Sequence, residues 1–194
     1  MARPQTASDD EILQASLRVM VRRGHDAFTL SEVAAEVGLS RAAIILRFKG
    51  THALKVRLTT YIVDRFVQSL RSLPSSRGGD GLLELVAFIG QKVSSPGSLA
   101  AFMRTYHSNI EDKELLRLER KRGAALRAAV AERMPSTAIT RDSAVTAFGA
   151  HISGCLMQWE VQTGTDARCY LVERTKQWLT LAQIPHDKNF GGRV

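Results

Sequence analysis

Cysteine is nearly missing, at 2 of 194 residues, too few for a disulfide scaffold and without the spacing of a zinc motif. Aromatic residues make up only 6% and glycine 14 residues, which excludes collagen-like and aromatic low-complexity chains. No apolar run approaches the ~18 residues of a membrane span. The opening Met-Ala-Arg-Pro-Gln-Thr-Ala-Ser-Asp-Asp is polar and lacks the apolar core of a signal peptide. A soluble cytoplasmic protein with reduced thiols and no membrane partner is therefore expected. Also absent are Gly-x-Ser-x-Gly, His-Glu-x-x-His and a phosphate-binding glycine loop. Acids and histidines are scattered, so no catalytic residues, no cofactor and no metal are expected. His151, Cys155 and Trp159 share a helical face at i, i+4 and i+8. A metal there would need two more ligands, with only Cys169 and His107 as candidates, and packing is the simpler role.

The chain does contain 44% hydrophobic and 24% charged residues, enough for a sizeable core in an ordinary globular protein. Lys and Arg number 27 against 19 Asp and Glu, a net charge of +8 that suits a polyanionic partner. The charge is spread, however. Residues 1–65 hold 10 basic and 7 acidic residues, and the remainder hold 17 and 12. Charge alone thus fits a plain solvated surface as well as a nucleic-acid contact.

Only five prolines occur, Pro4, Pro74, Pro96, Pro135 and Pro185. They separate stretches of helical periodicity, and no alternating strand pattern appears, so the fold class is all-α. Residues 8–23 form a first helix, capped by Ser8 with Glu11 as its capping-box partner and stopped at Gly24. Thr29 or Ser31 caps a short helix to Val37. Gly38-Leu39-Ser40 is a turn, and Ser40 caps a third helix from Arg41 to about Phe48. A fourth runs over about 52–72 and presents Leu54, Leu58, Tyr61, Ile62, Phe66 and Leu70 on one face. Residues 73–81 read as a linker. Further helices follow to Val93, over 96–106, 112–134 and 140–162, and to Ala182; a polar, frayed tail covers 185–194. The seven basic residues of 113–133, among them Lys121, Arg127 and Arg133, read as a solvated face, with room for one to reach inward.

Two short helices meeting at a glycine turn over residues 29–48 have the layout of a helix-turn-helix. Val33, Ala34, Val37, Leu39 and Ile44 can form its core, and Arg41, Ala42, Ala43, Ile45 and Arg47 are left outside, where a major groove would meet them. The same pattern also occurs in helical hairpins that touch nothing. Thr29 and Ser40 stand at helix amino ends, suited to a phosphate as well as to capping. Arg3 belongs to a flexible arm, expected to be disordered, that can otherwise reach a minor groove. Gly149, Ser153, Gly154 and Met157 keep one side of the eighth helix low in bulk and open to close helix contact.

Residues 9–54 resemble the N-terminal domain of the TetR family of bacterial transcriptional regulators. The resemblance rests on Ile12, Ala15, Gly24, Phe28-Thr29, Val33-Ala34, Val37-Gly38-Leu39-Ser40, Phe48 and Ala53-Leu54. It implies about nine helices: a three-helix DNA-binding domain over 1–50, a connecting helix over about 52–72, and an effector-binding and dimerisation domain over 73–184. It also implies a homodimer, double-stranded operator DNA and a small-molecule effector that releases a repressor. DNA contacts would come from Thr29, Ser40, Arg41, Ala42, Ala43, Ile45, Arg47, Lys49 and Thr51. An effector pocket would draw on Phe88, Phe102, Met103, Tyr106, His107 and Phe148. A dimer interface would use Ser153, Gly154, Met157, Leu171 and Trp178. The chain departs from the family at Ile45, where a phosphate-touching tyrosine is usual, at Leu46, where a histidine or aromatic follows, and at Thr51, where a lysine opens the fourth helix. Arg47 and Lys49 can supply the lost phosphate contacts, and Ile45 and Leu46 can either meet thymine methyls or pack. The competing reading is a helical enzyme or small-molecule carrier with a structural N-terminal hairpin.

Overall fold

The computed structural model describes residues 7–23, 28–94, 97–162 and 164–187. Arg3, Gly24, Pro96 and the tail beyond Asp187, all invoked above, lie outside them. The described residues form nine helices and no strand: α1 (Asp9–Arg23), α2 (Leu30–Glu36), α3 (Arg41–Phe48), α4 (Thr51–Arg71), α5 (Gly78–Val93), α6 (Ser98–Glu111), α7 (Lys113–Arg133), α8 (Arg141–Glu160) and α9 (Ala167–Leu181). The all-α expectation holds. Among these residues no helix is long and apolar enough to cross a membrane.

Local chemistry sets the early boundaries. The Glu11 N–H donates to Ser8 Oγ at 3.2 Å and the Ser8 N–H to the Glu11 carboxylate at 2.6 Å, a closed capping box. Thr29, not Ser31, caps α2 by accepting from the Glu32 N–H. Ser40 caps α3 by accepting from the Ala43 N–H at 3.1 Å.

The chain divides into two compact units. The first joins residues up to Phe66 with Ala101–Lys121. Its core holds Ile12, Val19, Phe28, Val33, Ala34, Ile44, Phe48, Leu54 and Leu58. Each large aliphatic side chain fully withdrawn from water contributes roughly 1.5–3 kcal/mol, so three short helices can hold one shape. Within this unit Asn109 donates to the Glu119 carboxylate at 2.7 Å, tying α6 to α7 in a buried position.

The second unit contains Val67–Ala100 and Arg122–Val194. Here α5 is apolar on nearly every side, with Leu82, Leu83, Leu85, Val86 and Ile89 all buried, as a central helix must be. It packs on α9 backbone to backbone. A Cβ added at Gly90 would lie 2.5 Å from the Arg168 Cα. Two expectations are corrected in this unit. The stretch 73–81 is not all linker: α5 begins at Gly78, and Gly79 and Gly81 are buried because a Cβ at either would strike Pro185 or Ser76. Nor are residues 185–187 frayed: the Asp187 N–H donates to the Asp80 carboxylate at 3.0 Å. The sixth helix also starts and ends later than expected, at Ser98 and Glu111 rather than 96 and 106.

Candidate functional site

In the helix-turn-helix, α1 grips α2 through exposed ion pairs. Arg18 Nε lies 2.9 Å and Arg22 Nη2 3.0 Å from the Glu36 carboxylate, and Arg23 Nε lies 2.7 Å from Glu32. The Arg18 hydrogen bond, seconded by Arg22, holds the Glu36 carboxyl below its ordinary range. After α2, Gly38 takes a left-handed φ of 68°, a conformation that costs glycine little. The chain then folds back so that the Leu39 N–H reaches the Ala34 carbonyl at 2.9 Å. Ala34 is buried at this crossing.

On α3, Ile44 and Phe48 point into the core. Arg41, Ala42, Ile45, Leu46 and Arg47 are exposed and Ala43 is half-buried. Leu46 is 85% exposed and Ile45 37%; of the two readings, packing is excluded for Leu46. Arg47 is engaged: Nε lies 2.6 Å from Asp9 Oδ1, and the guanidinium also donates to the Ala7 carbonyl. Arg57 stands 3.7 Å from the other oxygen of Asp9. Lys49 ends α3 in a left-handed conformation, φ 61°, with its N–H on the Ile45 carbonyl at 2.7 Å. Lys49 and Thr51 are exposed. Thr29 and Ser40 both hold cap hydrogen bonds with their hydroxyls at helix starts. The structure thus brings eight of the nine expected DNA-contact residues, Ser40 through Thr51, onto α3 and its two ends, with Thr29 at the start of α2.

The expected effector residues are divided between the units. Phe102, Met103, Tyr106 and His107 belong to the first and Phe88 and Phe148 to the second. Phe102 and Tyr106 lie 6.0 Å apart, ring to ring. His107 faces Glu111 one turn on at 3.8 Å, exposed. Phe148 is fully buried, edge-on to Trp178 with ring centroids 5.0 Å apart. Two cavities stand out among the described residues, and none of these six lines either. One is a void of about 10 Å³ beside Met20 and Phe28. The other is an open groove of about 280 Å³ between α8 and α9, lined by His151, Gly154, Cys155, Gln158, Arg174 and Trp178, among others.

That groove shares Gly154 and Trp178 with the expected dimer face. Ser153, Gly154 and Met157 are exposed, Trp178 half-buried, and nothing lies within 4 Å of a Cβ added at Gly154. Leu171 is corrected: at 1% exposure it packs inside its own unit and offers no surface to a partner. His151 stacks on Trp178 at 5.6 Å and bonds Thr175 Oγ1 at 3.2 Å. Burial holds its imidazole below the ordinary range and pushes the neighbouring Cys155 thiol up. Trp159 turns away to donate to the Thr165 carbonyl at 2.8 Å. Among the described residues no three metal-ligating side chains converge. One residue stands apart from the basic face of α7: Arg133 is 2% exposed and donates to the Pro74 carbonyl at 2.7 Å and to the Ala129 carbonyl at 3.0 Å.

Comparison with known proteins agrees with this architecture. Residues 12–57 match the family described as bacterial regulatory proteins, tetR family. The uncharacterized HTH-type transcriptional regulator YerO of Bacillus subtilis (strain 168) is 27% identical over 70 residues, which take in 36% of this chain and 24% of YerO, about a quarter of its length. A transcriptional regulator from Rhodococcus sp. Rha1 superposes with a TM-score of 0.73 at 17% identity, over 93% of this chain and 100% of that one. A protein from Saccharomonospora viridis, solved in complex with choline, superposes with a TM-score of 0.68 at 17% identity, over 88% and 94%. Residues 12–57, which include the helix-turn-helix of α2 and α3, thus carry the domain of the tetR family of bacterial regulatory proteins, and the nine helices of the described residues share the fold of these solved regulators.

Proposed function

We propose that the chain is a cytoplasmic, ligand-responsive repressor that binds double-stranded operator DNA as a homodimer. The observation that carries this reading is α3: an exposed helix, capped by Ser40, standing on a buried Ile44 and Phe48, with a cation at each end in Arg41 and Lys49. A helix held this way can enter a major groove with its amino end toward base edges. Residues 1–50 form the DNA-binding domain, α4 connects, and residues 73–184 dimerise and bind the effector. The exposed Met157 and the open surface at Gly154 on α8 support a dimer through α8 and α9. The choline in the Saccharomonospora viridis protein supports a small organic effector in this fold. Selection of duplexes from a random library tests the reading. An enriched, partly palindromic sequence, bound with a steep salt dependence and released by a metabolite in a screen, is the expected result. A chain that retains no duplex at any salt concentration refutes it.

A further inference from the structure

The outer face of α3 is apolar. Successive residues of a helix are rotated by about 100°, so Leu46, two residues past the buried Ile44, points away from the core, and its 85% exposure agrees. Ala42 and Lys49 flank it on the same side, and Ile45 forms the edge at 37% exposure. Between the cations Arg41 and Lys49 lie about 12 Å of helix, and the side chains of Ala42, Ile45 and Leu46 in that interval can neither donate nor accept a hydrogen bond. The walls of a major groove are polar except at one feature, the C5-methyl group of thymine.

We propose that Leu46, with Ile45 and Ala42 beside it, reads thymine methyl groups, so that each operator half-site presents A·T pairs under the middle of α3. The inference rests on the DNA-binding reading above and assigns its specificity. Charge complementarity selects the occupant: a helix face bracketed by two cations suits a polyanionic groove better than an apolar protein surface. Arg41 at the amino end is left to read a purine by hydrogen bonding, whereas the apolar centre discriminates by a single methyl group.

The test uses the full chain and the operator recovered by library selection. Each thymine of one half-site, then of both, is replaced by 2′-deoxyuridine, which removes the methyl and nothing else. Burying one methyl-sized group contributes roughly a fourfold change in affinity. At one or two positions per half-site, uridine should therefore weaken binding about fourfold, and about 15-fold when both half-sites carry it. In Leu46→Ala the same replacement should change affinity less than twofold, because the reader is gone; Ile45→Ala locates the neighbouring contact. Since Leu46 contributes nothing to the core, its variant keeps the wild-type thermal midpoint. Selected half-sites without conserved A·T pairs overturn the inference. So does uridine that binds as well as thymine, or a uridine effect that survives Leu46→Ala. These outcomes leave the DNA-binding reading standing, whereas failure to retain any duplex removes both.

Discussion

Arg47 of α3 is clasped by Asp9 of α1, Nε to Oδ1 at 2.6 Å. The pair is partly exposed, so it contributes at most about 1 kcal/mol, but it neutralises the cation nearest the centre of α3. Arg47→Ala should therefore lower the thermal midpoint slightly and weaken DNA binding less than Lys49→Ala does. Titration of one duplex with both variants checks the order. Equal losses, with the salt slope reduced by about 0.9 in each, would mean that Arg47 leaves Asp9 to hold a phosphate.

Arg41 and Lys49 should separate reading from holding. An arginine on base edges discriminates by roughly 1–3 kcal/mol per bidentate contact, whereas a lysine on phosphate weakens all sequences alike. Arg41→Ala is expected to relax operator preference at one position per half-site, and Lys49→Ala to weaken operator and scrambled duplex together. Affinities for both duplexes at several salt concentrations decide. Equal weakening by Arg41→Ala would make that residue a backbone contact.

Gly90 is irreplaceable for a steric reason. Its Cβ would meet the Arg168 Cα at 2.5 Å, and backbone atoms cannot swing aside. Gly90→Ala should destabilise the second unit by roughly 1–3 kcal/mol, as overpacking does. Gly154→Ala, with open space around it, should be neutral or gain up to about 1 kcal/mol from helix propensity. Urea denaturation of the two variants gives the comparison, and similar midpoints for both would contradict it.

The same openness makes Gly154→Arg a probe of assembly. The variant should fold, since nothing surrounds the site within one chain, yet sediment as a monomer, because a bulky charge would stand in the contact between copies. An unchanged dimer would move the interface away from this part of α8.

Asp112 caps α7, accepting from the Glu114 and Leu115 N–H groups at 2.9 and 3.0 Å. The Leu115 bond foremost, with Glu114 and the His52 charge adding, holds its carboxyl below the ordinary range against the opposing effect of burial. A carboxyl depressed in the folded state stabilises it above the unfolded value, about 3.9, and that contribution is lost as pH falls through the folded value. Asp112→Asn keeps a capping side chain. It should fall somewhat below the wild type near neutrality, with the gap closing on acidification below about pH 4 as the wild type loses its contribution. Thermal scans across that range test it, and parallel curves would reject the assignment.

The head was legible residue by residue because its signals are local. Ser8 with Glu11, Thr29, Gly38 and Ser40 each act within four residues, and the structure has them all in those roles, apart from the Thr29-or-Ser31 choice that the sequence left open. Where distant segments meet, sequence reasoning failed. Gly79 and Gly81 look like linker glycines until Pro185 and Ser76 are seen against them. Arg133 looked like one more cation on a solvated helix, and only the fold reveals the Pro74 carbonyl waiting for it. Periodicity marked Leu171 as apolar without saying whether its own unit or a second copy would cover it. The division of the aromatics among units had no local signal at all.

The contact of Asp187 with Asp80, and of Pro185 with Gly79, brings residues more than a hundred positions apart into a clasp at the start of α5. A fluorescent domain fused downstream of Asp187 would therefore emerge beside residues 74–77, and a dye placed on Ser75 would sit within energy-transfer range of it. Such a pair would report the opening of that clasp optically, without touching α3 or the groove between α8 and α9.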